Sequence, residues 1–194
     1  IEGRVGWLLV AALSDRRAED EARGFAAEIT GPLLLDAAGA RSAQVLADQW
    51  IARLERALQP DLAAVITMTS GKPHLRALSG GGLVERPSDA RDGLERIAAL
   101  ADRHRAPFAV DADAEGGDIH GDVAVEIERL GAVRALVLPV DDNGRVVSVV
   151  VLLWQRAGPP PEVPILEGLS AALSEAVLIQ RRTHPGPLRR LGNW

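Results

Sequence analysis

A chain of 194 residues is long enough for one domain with a substantial core or for two very small ones. Its 47% hydrophobic and 25% charged residues argue against wholesale disorder, and a net charge of −5 with no dense basic patch mid-chain argues against a groove that tracks nucleic-acid phosphates. The absence of cysteine excludes disulfides, thiolate-held zinc, iron–sulfur clusters and cysteine nucleophiles.

No methionine opens the sequence, so it reads as a fragment; Ile1-Glu2-Gly3-Arg4 either spells a protease-site tag or is native. The longest apolar runs, Trp7–Leu13 and Val146–Trp154, fall far short of the roughly 20 residues of a membrane helix. A soluble chain is therefore expected.

Ala18, Ala22, Phe25, Ala26 and Ile29 recur at helical spacing after Ser14 or Asp15, either of which is a plausible N-cap. Gly31-Pro32 is expected to break this helix. Leu33–Leu35 fits either a short strand or a further helical piece. Arg41–Leu58 is predicted as an amphipathic helix with Val45, Leu46, Trp50, Leu54 and Leu58 on one stripe, ended by Pro60. Leu62–Thr69 and His74–Ser79 read as antiparallel strands around the turn Ser70–Pro73, followed by a Gly80–Gly82 loop.

Pro87-Ser88-Asp89 opens a helix to His104, with Leu94, Ile97, Ala98 and Ala101 inward. Pro107–Val110 is a short strand, Asp111–Asp122 an acidic glycine-rich loop, and Val123–Leu130 a short helix. Val133–Val140 and Arg145–Gln155 are strands joined at Asp141-Asp142-Asn143-Gly144, where Asn-Gly suits the positive φ angles of a type I′ turn. Arg145–Gln155 is almost wholly apolar, so both its faces should be covered. Pro164–Arg182 is a closing amphipathic helix, and Pro185 and Pro187 precede a basic tail. The fold class expected is α+β, an antiparallel sheet flanked by helices. Residues 1–40 are read as a helical extension, 41–182 as the domain and 183–194 as the tail.

This order resembles the GAF family. Leu62–Met68 with His74–Ser79 is similar to its first hairpin. Ala135–Val140, the Asp-Asp-Asn-Gly turn and Arg145–Trp154 are similar to its most recognisable stretch, and Ile165–Ile179 to its closing helix. Ser148 stands where the family often has glycine. The cyclic-nucleotide signature of the family is not visible, and its bilin-binding members attach their chromophore through a cysteine that this chain lacks. His74–Ser79 and the arginine-flanked Gln180–Arg182 and Leu188–Arg190 also resemble cytoplasmic GAF regions of bacterial hemolysin-D-type adaptor subunits, in which a membrane helix follows.

The resemblance implies a ligand pocket between the sheet and Asp111–Leu130, lined by Phe108, Val110, Ile119, His120, Val123, Ile127 and Arg134. The apolar members fit plain core equally well. Arg134 could hold an anion or pair with a carboxylate. Asp111, Asp113, Glu115, Gly116 and Asp122 echo a calcium loop, but a strand precedes them and Asp122 replaces the bidentate glutamate, so no tight calcium site and no metal are expected. Ser70 and Ser79 lack a nucleophile elbow, and Gly80–Gly82 lacks the Lys-Ser/Thr of a phosphate loop; neither a catalytic residue nor a cofactor is expected.

Two classes of function remain open. One is a non-enzymatic sensory or regulatory module that binds a small ligand. The other is a pure interaction module. A cytoplasmic location is expected for both. A homodimer is expected through the N- and C-terminal helices, with Ile165, Leu169, Leu173 and Val177 turned into the core and Leu166 and Leu178 at the flank; the alternative is that the two helices cover each other within one chain, giving a monomer.

Overall fold

The computed structural model describes residues 28–79, 87–113, 119–156 and 163–184. The amino-terminal part of the first expected helix, the Gly80–Gly82 loop, Glu115, Gly116 and the basic tail lie outside them. Residues 28–39 form α1. There follow α2 (Ala43–Leu58), β1 (Leu62–Thr69), β2 (Lys72–Ser79), α3 (Pro87–His104), β3 (Phe108–Asp111), α4 (Ile119–Arg129), β4 (Arg134–Asp141), β5 (Val146–Trp154) and α5 (Val163–Thr183).

The strands make one five-stranded sheet in the order β2-β1-β5-β4-β3, and every neighbouring pair is antiparallel. Alternation along the strands feeds two cores. Ala63, Val65, Leu136, Leu138, Val150 and Leu152 face α1, α2 and α5. Leu62, Ala64, Ile66, Val137, Val149, Val151 and Leu153 face α3 and α4. Helices on both faces explain why β5 is apolar at successive positions. Among the described residues no helix is long and apolar enough to cross a membrane.

Local chemistry sets the element ends. Ser42 caps α2, its Oγ accepting from the Val45 amide at 3.2 Å, and left-handed Gln59 closes it by donating to the Glu55 carbonyl. At the β4–β5 hairpin the Asp142 amide donates to the Arg145 carbonyl at 2.9 Å, with Asn143 and Gly144 at φ 56° and 77°. Both central residues thus have the positive φ of the expected type I′ turn.

Four expectations change. Helix α1 runs through Gly31-Pro32. Proline removes the N–H that would meet the carbonyl of residue 28 and crowds that carbonyl, a cost offset as Ile29, Leu33, Ala37 and Ala40 bury themselves in one core with Trp50 and Leu54. This also makes Leu33–Leu35 helical. Val45 is 42% exposed, because the α2 stripe centres on Leu46, Trp50 and Leu54. Helix α4 begins at Ile119, which puts Ile119, Val123 and Ile127 on one face and Asp122 in the first turn, where the helix dipole favours a carboxylate.

The fourth change is the rotation of α5. Its buried residues are Leu166, Leu169, Ala172, Leu173 and Ala176; Ile165 and Val177 are only half-buried. Two serines fix this rotation. Ser170 Oγ donates to the Pro139 carbonyl, and Ser174 Oγ accepts from the Asp141 amide at 2.9 Å.

Candidate functional site

The sequence points to the α3–α4 side of the sheet. Phe108 and Val110 come from β3, Val123 and Ile127 from α4, and all four are buried in one cluster with Ile119 packed against it. His120, half-buried at the start of α4, stands edge-on to Phe108 at 5.4 Å between ring centroids. His104, at the end of α3, completes a three-ring group, 5.0 Å from Phe108 and 5.9 Å from His120. No signal in the sequence linked His104 to the other two rings. Among the described residues no group of histidines and carboxylates could hold a metal ion.

Arg134 does not join this group. It alternates with Ala135 and Val137, so its side chain lies on the α5 side of the sheet with Leu136. There its Nε donates to Asp111 Oδ1 at 2.6 Å from the opposite register position. The arginine side chain is 10% exposed, and its charge is already paired with Asp111.

Outside the α3–α4 core a shallow groove of about 330 Å³ runs between the two helices. Glu126, on α4, is nearly buried and holds two arginines there, Arg96 at 3.0 Å and Arg129 at 3.1 Å. Its hydrogen bond keeps the Arg96 guanidinium above its ordinary value.

A more enclosed cavity of about 110 Å³ lies on the other face, between α2, the final turns of α5 and the β1–β5 ladder. Its walls include Leu46, Ala47, Val65, Val147 and Val177, and its polar lining comprises Trp50, Thr67, Ser148, Gln180 and Arg181. Ser148 is buried and its Oγ donates to the Ile66 carbonyl at 2.8 Å. Arg181 pairs with Asp142 of the hairpin turn. Sequence reasoning placed Trp50 in a core stripe and missed the cavity. The available signal was Ser148, the hydroxyl residue within the otherwise hydrophobic β5.

No family model matches the sequence, and no curated protein matches it. Solved structures do. The phycocyanobilin-bound GAF domain from a cyanobacterial phytochrome aligns with a TM-score of 0.61 at 13% identity, over 82% of this chain and 97% of that one. The GAF domain from an Acinetobacter phosphoenolpyruvate-protein phosphotransferase aligns at 0.58 and 12%, over 82% and 94%. The free methionine-R-sulfoxide reductase from Neisseria meningitidis, in complex with its substrate, aligns at 0.60 and 15%, over 84% and 93%. The fold is that of GAF domains. None of these three structures is a hemolysin-D-type adaptor, so that context gains no support from them. The chain has no cysteine, the residue through which the resemblance has bilin-binding members attach their chromophore.

Proposed function

We propose that this chain is a non-enzymatic sensory or regulatory module of GAF type, which binds a small ligand, dimerises, and works in the cytoplasm as part of a bacterial signalling or membrane-transport protein. The observation that carries this reading is the attachment of α5 to the sheet. Ser170 and Ser174 bind the end of β4, and Arg181 binds the β4–β5 turn. A change in the sheet or its hairpin is thereby passed to the closing helix, the kind of two-state element through which a ligand biases a partner. Val177, Leu178 and Ile179 are half-buried within one chain and offer apolar area to a second copy.

The alternative, a pure interaction module without a ligand, draws on a specific observation too. The α3–α4 face is occupied by Phe108, Val110, Val123 and Ile127, all at 5% exposure or less.

Light scattering over a concentration series, combined with melting curves against a metabolite panel, tests the reading. The expected mass is near twice 20.6 kDa, halved by Leu178→Glu, with a saturable rise in melting temperature for at least one compound. A mass near 20.6 kDa throughout and no response to any compound would overturn it.

A further inference from the structure

The cavity under α2 and α5 has the marks of a built binding site. Trp50 lines it and is 2% exposed, yet its indole Nε1 has no hydrogen-bond partner among the described residues. A buried donor left unpaired is costly, and proteins rarely keep one without a use for it. The indole of Trp154, on the same side of the sheet, shows the ordinary solution: its Nε1 donates to the Leu58 carbonyl at 3.4 Å. Arg181 supplies a half-exposed cation to the lining, and among the described residues it pairs through one nitrogen, Nη1, with Asp142. A guanidinium presents five donors, so it can serve a second carboxylate. The remaining walls are mostly aliphatic, and a cavity of about 110 Å³ is somewhat smaller than one that holds benzene.

We propose that this cavity binds a compact aliphatic carboxylate whose body of about two to four carbons, smaller than benzene, lies inside against Leu46, Ala47, Val65 and Val177, with the carboxylate on the Arg181 side accepting from Arg181 and Trp50 Nε1. The proposal rests on the regulatory reading above and names the chemistry of its ligand. The occupant touches α2, β5 and α5 together, so it fixes the last turns of α5 against the sheet.

The test uses the full chain and pivalate as probe. Titration is followed by calorimetry and by the indole ¹H–¹⁵N signals, assigned with single Trp→Phe variants. Pivalate is expected to bind with a dissociation constant on the order of 1 mM or tighter. It should move the Trp50 indole proton downfield and leave that of Trp154 in place. Pivalamide, with the same body and no charge, should bind about tenfold more weakly, as should acetate, which lacks the body. Trp50→Phe should abolish the affinity. Ala43→Leu, at an exposed position on the rim, should block entry with an unchanged melting temperature, which guards against a Trp50→Phe variant that fails to fold.

A Trp50 indole signal that no probe moves overturns the proposal. So does affinity retained in Ala43→Leu, or acetate equal to pivalate, which would mean an anion at the rim only. Failure of this site and failure of the regulatory reading are separable. Binding with no change in dimer mass or in α5 amide exchange upholds the site and overturns the regulation. A dimer that responds to other compounds but not to pivalate upholds the regulation and overturns the site.

Discussion

Arg134 and Asp111 stand opposite each other on the β3–β4 ladder, with Nε and Oδ1 2.6 Å apart, the arginine nearly buried and the aspartate 45% exposed. Removing one partner of such a pair does more harm than removing its charge altogether, because the buried ion is left without compensation. Asp111→Ala should therefore destabilise by about 1–2 kcal/mol, scaled down from a fully buried pair because the aspartate is partly solvated. Arg134→Met, with similar volume and no charge, should cost less. Urea denaturation of both variants gives the order; a larger loss in Arg134→Met would mean that the guanidinium matters beyond its pair with Asp111.

Glu95 makes a pH-dependent contribution. Its Oε1 accepts from the Leu75 amide at 3.0 Å and from Arg91 Nε at 3.0 Å. The Leu75 hydrogen bond, then Arg91 and His74, outweigh partial burial and hold the carboxyl below its ordinary value. A depressed carboxyl stabilises the fold above its unfolded value of about 4.3, and this is lost as pH falls through the lower folded value. Glu95→Gln should thus be less stable than the parent by about 1 kcal/mol at pH 7. The gap should close on acidification below the unfolded value. A gap that stays constant from pH 7 to pH 3 would refute a charge-dependent role.

Gly144 tests the hairpin. Its φ is +77°, and a Cβ built there meets nothing within 4 Å. Any cost of Gly144→Ala is therefore backbone strain alone, about 1–2 kcal/mol. Asn143→Gly, at a position with φ 56°, should be nearly neutral. Equal melting temperatures for the parent and Gly144→Ala would argue that the turn relaxes to another type.

Ser148 ties β5 to β1 through its bond to the Ile66 carbonyl. Ser148→Ala should cost about 1 kcal/mol, the usual net value of such a bond. Ser148→Val should also reduce the volume between α2 and α5, because the residue lines that cavity. Melting curves measure the first effect, and the pivalate affinity of the two variants separates it from the second.

The legible parts of the sequence were those with a strict local cause. Asn143-Gly144 between two apolar runs specified a turn, and the hydrophobicity of Val146–Leu153, broken only by Ser148, specified a strand covered twice. Gly31-Pro32 misled because burial of Ile29, Leu33 and Ala37 outweighs a local breaker signal. The rotation of α5 was hidden because it depends on Ser170 and Ser174 finding partners on β4, 31 and 33 positions away. Phe108, His120, Val123 and Ile127, which the family resemblance had grouped, lie together on the α3–α4 side of the sheet. Arg134 does not, since a one-residue step along a strand changes the face. The cavity beside Trp50 left only Ser148 as a trace in the sequence, because apolar spacing does not say which side chains stop short of touching.

The position of β5 in the sheet has a consequence for how the chain acquires its shape. It is the last strand among the described residues, yet it lies between β1 and β4. The hairpins β1–β2 and β4–β5 close locally, whereas the seam joining them pairs Leu62 with Leu153 and Thr67 with Ser148. Until that seam closes, β1 has one unpaired, strongly apolar edge for as long as the ribosome takes to deliver the intervening residues. Loop closure over such a separation is slow, and open strand edges recruit one another. Synthesis of a chain cut short before Val146 should therefore yield aggregates rather than a smaller folded unit, and the rate of refolding should be limited by the meeting of β1 with β5.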